Sequence, residues 1–539
     1  MDKLPQELIC QICSNLSPND LCNAYYVSSM FRDAAEDYAK KYKHGRVKCP
    51  EHKANMANTY RGFRHRYIER VKFCVAPPPP SKSNEYGCCQ VSRDEQHKRN
   101  EIFTAQIRDL FATLKTMEDT AGGRNVGNYD LVICSVERPE SSCLHNDHSA
   151  RRTCLLDPKK LPDIKSVRSL KFNDNRVGIK YDYRILIDLI AHLPNASHLE
   201  CHMGVDEWTP CFTDEPANCY TWDYDGPRRD TRHGFANAPL SSSSLQRLES
   251  VKLDFFCQNV MTQADYIHQY MSYPNLVRPA SQDPFSTSLR ILSYHLRELD
   301  LRIQVDESLF WPTDGSTATW PYLQKVRVMF HMVTPSGTYY FEGPRGEGRE
   351  LMGHEIGSSE EHPEYPSDDE CDVCCTVREH SRSFGDWVSF QFRICANEGV
   401  LVPFLASFAK AAFHMPALKH AVLYSLLSWD VDGDDDYVDQ FHYYEPPKRF
   451  FPDSMAWGFE YCAPGIISIS MTNSDIVNLK ERRIRWRVGE WRPDSETHSL
   501  FQRIGLQQHG PALEEQWTDD EFGSGFVTRD YFENDYVDE

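Results

Sequence analysis

Five aspartates around one glycine, Asp430, Asp432, Asp434, Asp435 and Asp436 with Gly433, carry the carboxylate chemistry of a calcium loop. Such a loop needs its sharp-turn glycine at the sixth position and a bidentate glutamate at the twelfth. Here glycine comes fourth and Phe441 stands twelfth, so the segment reads as an acidic exposed loop. Cys371, Cys374 and Cys375 could give thiolates to zinc, and Cys49 with His52 could supply a further pair, but neither set has a second correctly spaced pair nearby. His354-Glu355 lacks the second histidine of a zinc protease, which leaves the glutamate no metal-bound water to activate. Gly343, Gly346 and Gly348 lack the Lys-Ser/Thr ending of a phosphate loop and the strand-to-helix context of a dinucleotide fold, and read as a turn-rich insert. The sequon Asn195-Ala196-Ser197 lies just before a buried strand of a chain read as cytosolic, so no glycan is expected. No set of nucleophile, base and oxyanion donors emerges. The expectation is a non-catalytic chain with no cofactor and no metal.

Charge and composition narrow the partners. Arg482, Arg483, Arg485 and Arg487 flank Trp486 in a pattern that could stack on and neutralise a nucleic acid strand, but the whole chain carries a net charge of −20. That balance disfavours a phosphate backbone or an anionic membrane as the main partner and leaves the basic run as an edge strand facing the acidic loops. The 19 cysteines are odd in number and scattered, so reduced thiols are expected. No charged leader with an apolar stretch opens the chain, and nothing approaches the ~18 continuous apolar residues of a membrane span. Cytosol or nucleus is the expected compartment.

The elements come next. A length of 539 residues exceeds one compact core and suits several domains or an elongated repeat. At the start, Leu4, Leu8, Ile12 and Leu16 recur every four residues with Ile9 and Cys13 beside them, an apolar helical stripe. Ser17-Pro18-Asn19-Asp20 is an N-cap signature for a second helix. Met30, Phe31, Ala34, Ala35 and Tyr38 carry a third, closing on Lys40-Lys41. This trio is too small to cover its own apolar surface. It reads as a docking handle, or else as an ordinary amphipathic cap on the following domain.

In order and spacing, Leu4-Pro5-Gln6-Glu7-Leu8, Ile12, Leu16, Asp20-Leu21, Val27-Ser28 and Phe31-Arg32 resemble an F-box. The resemblance implies a Skp-type adaptor as partner and, through it, a cullin, with the rest of the chain recruiting a client protein for ubiquitination. It places Leu4, Pro5, Leu8, Ile12, Leu16, Leu21, Val27 and Phe31 at or just under the adaptor interface. Phe31 stands where many boxes carry tryptophan, a smaller aromatic anchor. The stretch 334–348 and the region from Arg485 to Gly505 are similar to segments of large F-box proteins of filamentous fungi.

Further along, Ile68, Val71 and Phe73 predict a strand, the polar segment 76–100 a mobile loop, 102–117 a helix and Leu131-Val132-Ile133 another strand. One phrase then recurs: Val167/Leu170/Phe172, Leu199/Cys201, Leu248/Val251/Leu253, Leu296/Leu299/Leu301, Leu323/Val326/Val328 and Leu418/Ala421/Leu423. Alternate apolar side chains enter a stacked core while the polar ones between them line the open face of a parallel sheet, the leucine-rich-repeat pattern. Spacing between phrases is irregular, and an ordinary α/β domain with buried strands would read similarly.

The expected architecture is therefore α/β, a three-helix F-box (1–45) followed by an irregular leucine-rich-repeat-like solenoid with a curved parallel sheet. The expected divisions are a connector and first strand (46–75), a Pro-rich loop (76–100), the repeat domain (101–430), its extension (431–513) and an acidic, aromatic tail (514–539), part of which docks on the body. The expected function is substrate recognition within a Skp-cullin-F-box ubiquitin ligase, the alternative a non-degradative scaffold using the same repeat surface.

Overall fold

The fold is given by a computed structural model, which describes residues 4–39, 45–49, 58–60, 62–76, 93–122, 129–135, 152–173, 180–203, 226–238, 244–256, 269–270, 272–356, 391–427, 429, 455–467, 479–517 and 527–528. It opens with helices α1 (Gln6–Ser14), α2 (Pro18–Ala24) and α3 (Ser29–Ala39). Strands β1 (Gly45–Cys49) and β2 (Ile68–Val75), the long helix α4 (Arg93–Ala121) and β3 (Tyr129–Ser135) follow. Next come β4 (Val167–Asn173), α5 (Arg184–Ile190), β5 (His198–His202), α6 (Gly226–Ala236), β6 (Ser250–Asp254), α7 (Pro284–Ser293) and β7 (Glu298–Ile303). The chain continues through β8 (Lys325–Phe330), α8 (Glu398–Phe413), β9 (His420–Leu427), β10 (Met455–Cys462), β11 (Arg482–Arg487), α9 (Ser495–Gln502), β12 (Leu513–Trp517) and β13 (Val527–Thr528).

Among the described residues, thirteen strands make one sheet in which β1 to β12 lie side by side in chain order and β13 pairs with β10. β1 to β9 are parallel, β10 runs against β9 and β11, and β12 is parallel to β11. Parallel neighbours need crossovers of about a dozen residues, and helices supply several of them. These helices stack in the same order: α5 packs on α6, α6 on α7, and α8 on α9, with the short turn Glu307–Leu309 bridging α7 and α8. The result is a mixed α/β architecture with a large, mostly parallel sheet.

The recurrent phrase sets the register. Val71, Leu131, Leu170, Leu199, Val251, Leu299, Val326 and Ala421 are successive cross-strand partners, and Phe73, Ile133, Phe172, Cys201, Leu253, Leu301, Val328 and Leu423 form a second row two residues on. Every one of these side chains is buried in one continuous core. A slip of one residue would turn both rows to the opposite face, so burial pins the pairing. Helix starts are fixed locally. Asp283 caps α7 by accepting from the Phe285 and Ser286 amides at 3.3 and 2.9 Å, with Pro284 at the first helical position.

Three expectations change. The sheet begins at β1, one strand ahead of the first strand expected at Ile68 to Phe73, and it runs unbroken into the segment expected to open the repeat domain at 101. α4 starts at Arg93, inside the segment read as loop: Gln96 and Asn100 are polar but buried, Gln96 donating to the Arg152 carbonyl at 3.0 Å and Asn100 accepting from the Cys154 amide at 3.1 Å. β11 is not an edge strand, because β12 covers its outer side. Residues 514–517, at the start of the tail expected to dock in part on the body, belong to the sheet, where Trp517 stacks on Trp486 with ring centroids 4.9 Å apart.

Candidate functional site

The helical trio has its own small core of Ile9, Cys13, Ala24, Phe31, Ala34 and Ala35, with Leu4, Cys10, Leu16, Leu21 and Met30 packed against it. Ser17 caps α2 as its spacing predicts, its hydroxyl oxygen accepting from the Asp20 amide at 3.2 Å while its O–H donates to the Asp20 carboxylate at 2.6 Å. Ser28 does the same for the Phe31 amide at 3.3 Å. α3 is the common partner of α1 and α2. Gln6 of α1 donates to the Met30 carbonyl at 3.3 Å, and the Cys13 thiol lies 3.9 Å from the Phe31 carbonyl, where burial raises its pKa.

α3 also ties the trio to the body. The turn Gly62–Tyr67 leads directly into β2 and sends Arg64 onto Glu36 of α3 at 2.8 Å, with Glu36 only 4% exposed. Tyr25 Oη meets the same guanidinium. Arg66 faces Asp33 at 3.8 Å, and Tyr67 Oη donates to the Asp33 carbonyl at 3.4 Å. Burial raises the Asp33 carboxyl and Arg66 opposes that rise.

α1 and the turn after α2 keep apolar side chains in water. On α1, Ile9 and Cys13 are fully buried while Leu8 and Ile12, one turn apart, are 46% and 40% exposed. Val27 is 51% exposed and Tyr26 81%. Of the eight residues singled out in the sequence, Pro5, Leu8, Ile12 and Val27 are exposed, Leu4, Leu16 and Leu21 are half-buried on the small core, and Phe31 is inside it. The helical stripe thus divides into an inner edge that folds the trio and an outer edge that no described residue covers. Tyr26 was missed; its signal is the Tyr25-Tyr26 pair in the turn after α2, where Tyr25 is held by Arg32 (guanidinium 5.0 Å from the ring) and Tyr26 projects.

Residues 1–42 match the F-box-like family. The match supports an F-box protein, and F-box domains generally bind Skp-type adaptors, the role an uncovered apolar helix edge fits. The comparison with curated proteins finds no match. No helix among the described residues is long and apolar enough to cross a membrane.

The other constellations fall into place or outside the described residues. Asp430, Asp432 and Asp434 to Asp436, Cys371, Cys374, Cys375 and His52 lie outside them. His354 is held by its backbone, its amide donating to the Tyr273 carbonyl at 2.8 Å. The glycine-rich turn wraps a cation of its own chain. Arg393 is fully buried, donates to the Phe341 and Gly348 carbonyls at 2.9 and 3.0 Å, and lies 3.6 Å from the Tyr339 ring centroid. A Cβ on Gly348, whose φ is +73°, would stand 2.2 Å from that guanidinium. Asn195 is engaged on both sides of its amide, donating to the Lys165 carbonyl at 2.9 Å and accepting from Arg247 at 2.8 Å. The basic run of β11 is buried rather than offered to a ligand: Arg482 donates to the Gln502 and Pro511 carbonyls at 2.9 and 3.1 Å, and Arg483 to that of Ile466.

Two clusters on the sheet face opposite the apolar rows, the second of them largely buried, had no sequence signal, because their members are adjacent only through register. Glu200 accepts from Lys171 and His202 at 2.9 Å each, and His202 reaches Asp254 at 3.3 Å. Burial alone would raise the Glu200 carboxyl, but the hydrogen bonds from His202 and Lys171 bring it down to about 2. His420, Glu460 and Cys462 place three potential metal donors within 4.8 Å of one another on β9 and β10. There His420 already pairs with Glu460 at 2.8 Å, and Arg485 and Arg483 stand opposite Glu460 and Cys462 in the register, an arrangement that opposes a further cation.

Proposed function

We propose that this chain is the substrate-recognition subunit of a Skp-cullin-F-box type ubiquitin ligase, a non-catalytic receptor working in the cytosol or nucleus. The observation that carries the reading is the divided stripe of α1: Ile9 and Cys13 complete the fold, while Leu8 and Ile12 remain exposed with Val27 and Tyr26. A Skp-type adaptor covers that edge and hangs the protein on a cullin. A specific contact of this kind buries roughly 1,200 to 2,000 Å² in total.

The body is an irregular leucine-rich-repeat-like solenoid of the kind found in filamentous-fungal F-box proteins, supported by twelve strands neighbouring in chain order and two unbroken rows of buried apolar partners. Its open face, with Lys171, Glu200, Lys252, Asp300 and Arg327 as consecutive partners, holds a client protein. Neither nucleic acid nor membrane is a partner. Ubiquitin transfer is raised by proximity, since tethering gives the client a high effective concentration near the charged enzyme. Co-purification with a Skp-type adaptor tests the first half. Client abundance, which rises on deletion of this protein and on proteasome inhibition for a degradative receptor and stays unchanged for a scaffold, tests the second.

A further inference from the structure

The C-terminal ends of β2 and β3 bring two cysteines together. Cys74 on β2 and Cys134 on β3 are direct register partners, and their Sγ atoms lie 3.1 Å apart. Of the nine described free cysteines, these are the two that stand opposite one another on adjacent strands. Cys74 is partly exposed and Cys134 is buried, its sulfur 3.6 Å from the Phe73 carbonyl. Neighbouring strands lie about 4.8 Å apart, inside the Cα separation of about 4.4 to 6.8 Å that a disulfide spans. Closing to a bond of about 2.05 Å asks each sulfur to move by roughly 0.5 Å, within side-chain rotation. β2 lies between β1 and β3, and β3 between β2 and β4, so the sheet holds the two thiols in place before any reaction.

We infer that Cys74 and Cys134 form a reversible oxidation site, in which a two-electron oxidant such as hydrogen peroxide closes a disulfide across β2 and β3. The accessible Cys74 thiolate attacks one peroxide oxygen, the O–O bond breaks, and a sulfenic acid and one water result after proton transfer. Cys134 sulfur then attacks the Cys74 sulfur, the S–O bond breaks, and hydroxide leaves with the Cys134 proton as a second water. Two thiols and one peroxide have become one disulfide and two waters. A thiol reductant reverses the change by exchange. Oxidation clips together the C-terminal ends of β2 and β3.

The test uses the full-length reduced protein treated with hydrogen peroxide, alkylated, and mapped by non-reducing peptide mass spectrometry. The expected product is a Cys74–Cys134 linked peptide pair, about 2 Da lighter than the sum of its thiol peptides and lost on adding dithiothreitol. It forms at least ~10-fold faster in native protein than in urea-unfolded protein at the same peroxide concentration, because the fold supplies the proximity. In Cys134→Ser the linked peptide is absent and a dimedone-trappable sulfenic acid accumulates on Cys74. Both thiols recovered as separately alkylated peptides from peroxide-treated native protein, or linkage no faster than in urea, overturns the inference.

Discussion

Leu8→Asp and Ile12→Asp probe the outer edge of α1 with little expected effect on the fold, because both side chains already stand in water to 46% and 40%. Covering the exposed part of each in an adaptor interface contributes about 1 kcal/mol, half of the ~1.5–3 kcal/mol of full burial. Aspartate loses that term and places a carboxylate without a partner in a dry interface, a further ~1–3 kcal/mol. Each single variant therefore weakens adaptor binding by about 2–4 kcal/mol, roughly 30- to 1,000-fold in Kd. The two positions are one turn apart, so the double variant is not expected to be additive. Isothermal titration calorimetry with a purified Skp-type adaptor reads the affinity, and hydrogen exchange of residues 4–39 reads the fold. Ile9→Asp is the contrast: at 1% exposure it disrupts the trio and loses both protection and binding. Wild-type affinity in the Leu8 and Ile12 variants, with the trio still protected, would refute the reasoning.

Three further outcomes are expected. Arg64→Ala removes the guanidinium facing buried Glu36 and loosens the trio from the body, seen as faster tryptic cleavage and amide exchange across α3 while β3 to β9 keep their protection. Asp283→Ala deletes both the α7 cap and the carboxylate 2.7 Å from the fully buried Arg232, a loss of about 3–5 kcal/mol in urea unfolding, with Asp283→Asn milder because its amide oxygen still caps. Glu200 contributes to acid stability. Its folded pKa of about 2 lies below the ordinary 4.5, so its stabilisation is present above pH 4.5 and is lost as pH falls toward 2. Discounted for its 30% exposed side chain, that is on the order of 2 kcal/mol. Glu200→Gln should flatten the corresponding part of the stability curve, and an unchanged slope would contradict the assignment.

Much of the framework was legible because it depends on apolar spacing alone. Each recurrent phrase became a strand, and the Ser17-to-Asp20 cap starts α2, since both signals are complete within a few residues. Two failures share a cause: polar side chains satisfied at long range. Gln96 and Asn100 read as loop residues because their partners lie more than fifty positions on, at residues 152 and 154. The arginines of β11 read as an edge strand facing the acidic loops because the carbonyls that receive Arg482 and Arg483, at residues 466, 502 and 511, are invisible to local periodicity. β1, with valine its only aliphatic residue in GRVKC, carries too little pattern to announce a strand. At the candidate site, the stripe was readable, but the division of Ile9 and Cys13 from Leu8 and Ile12 required α3 in place, and the projecting Tyr26 required the turn.

Hydrogen exchange of the full-length protein, alone and mixed with an equimolar Skp-type adaptor, tests the central claim most directly, with light scattering to give the mass of the complex. The expected result is a one-to-one complex in which protection rises across α1 and the Tyr26-Val27 turn and is unchanged over β4 to β9. No complex at micromolar concentration, or protection confined to the sheet, would contradict it.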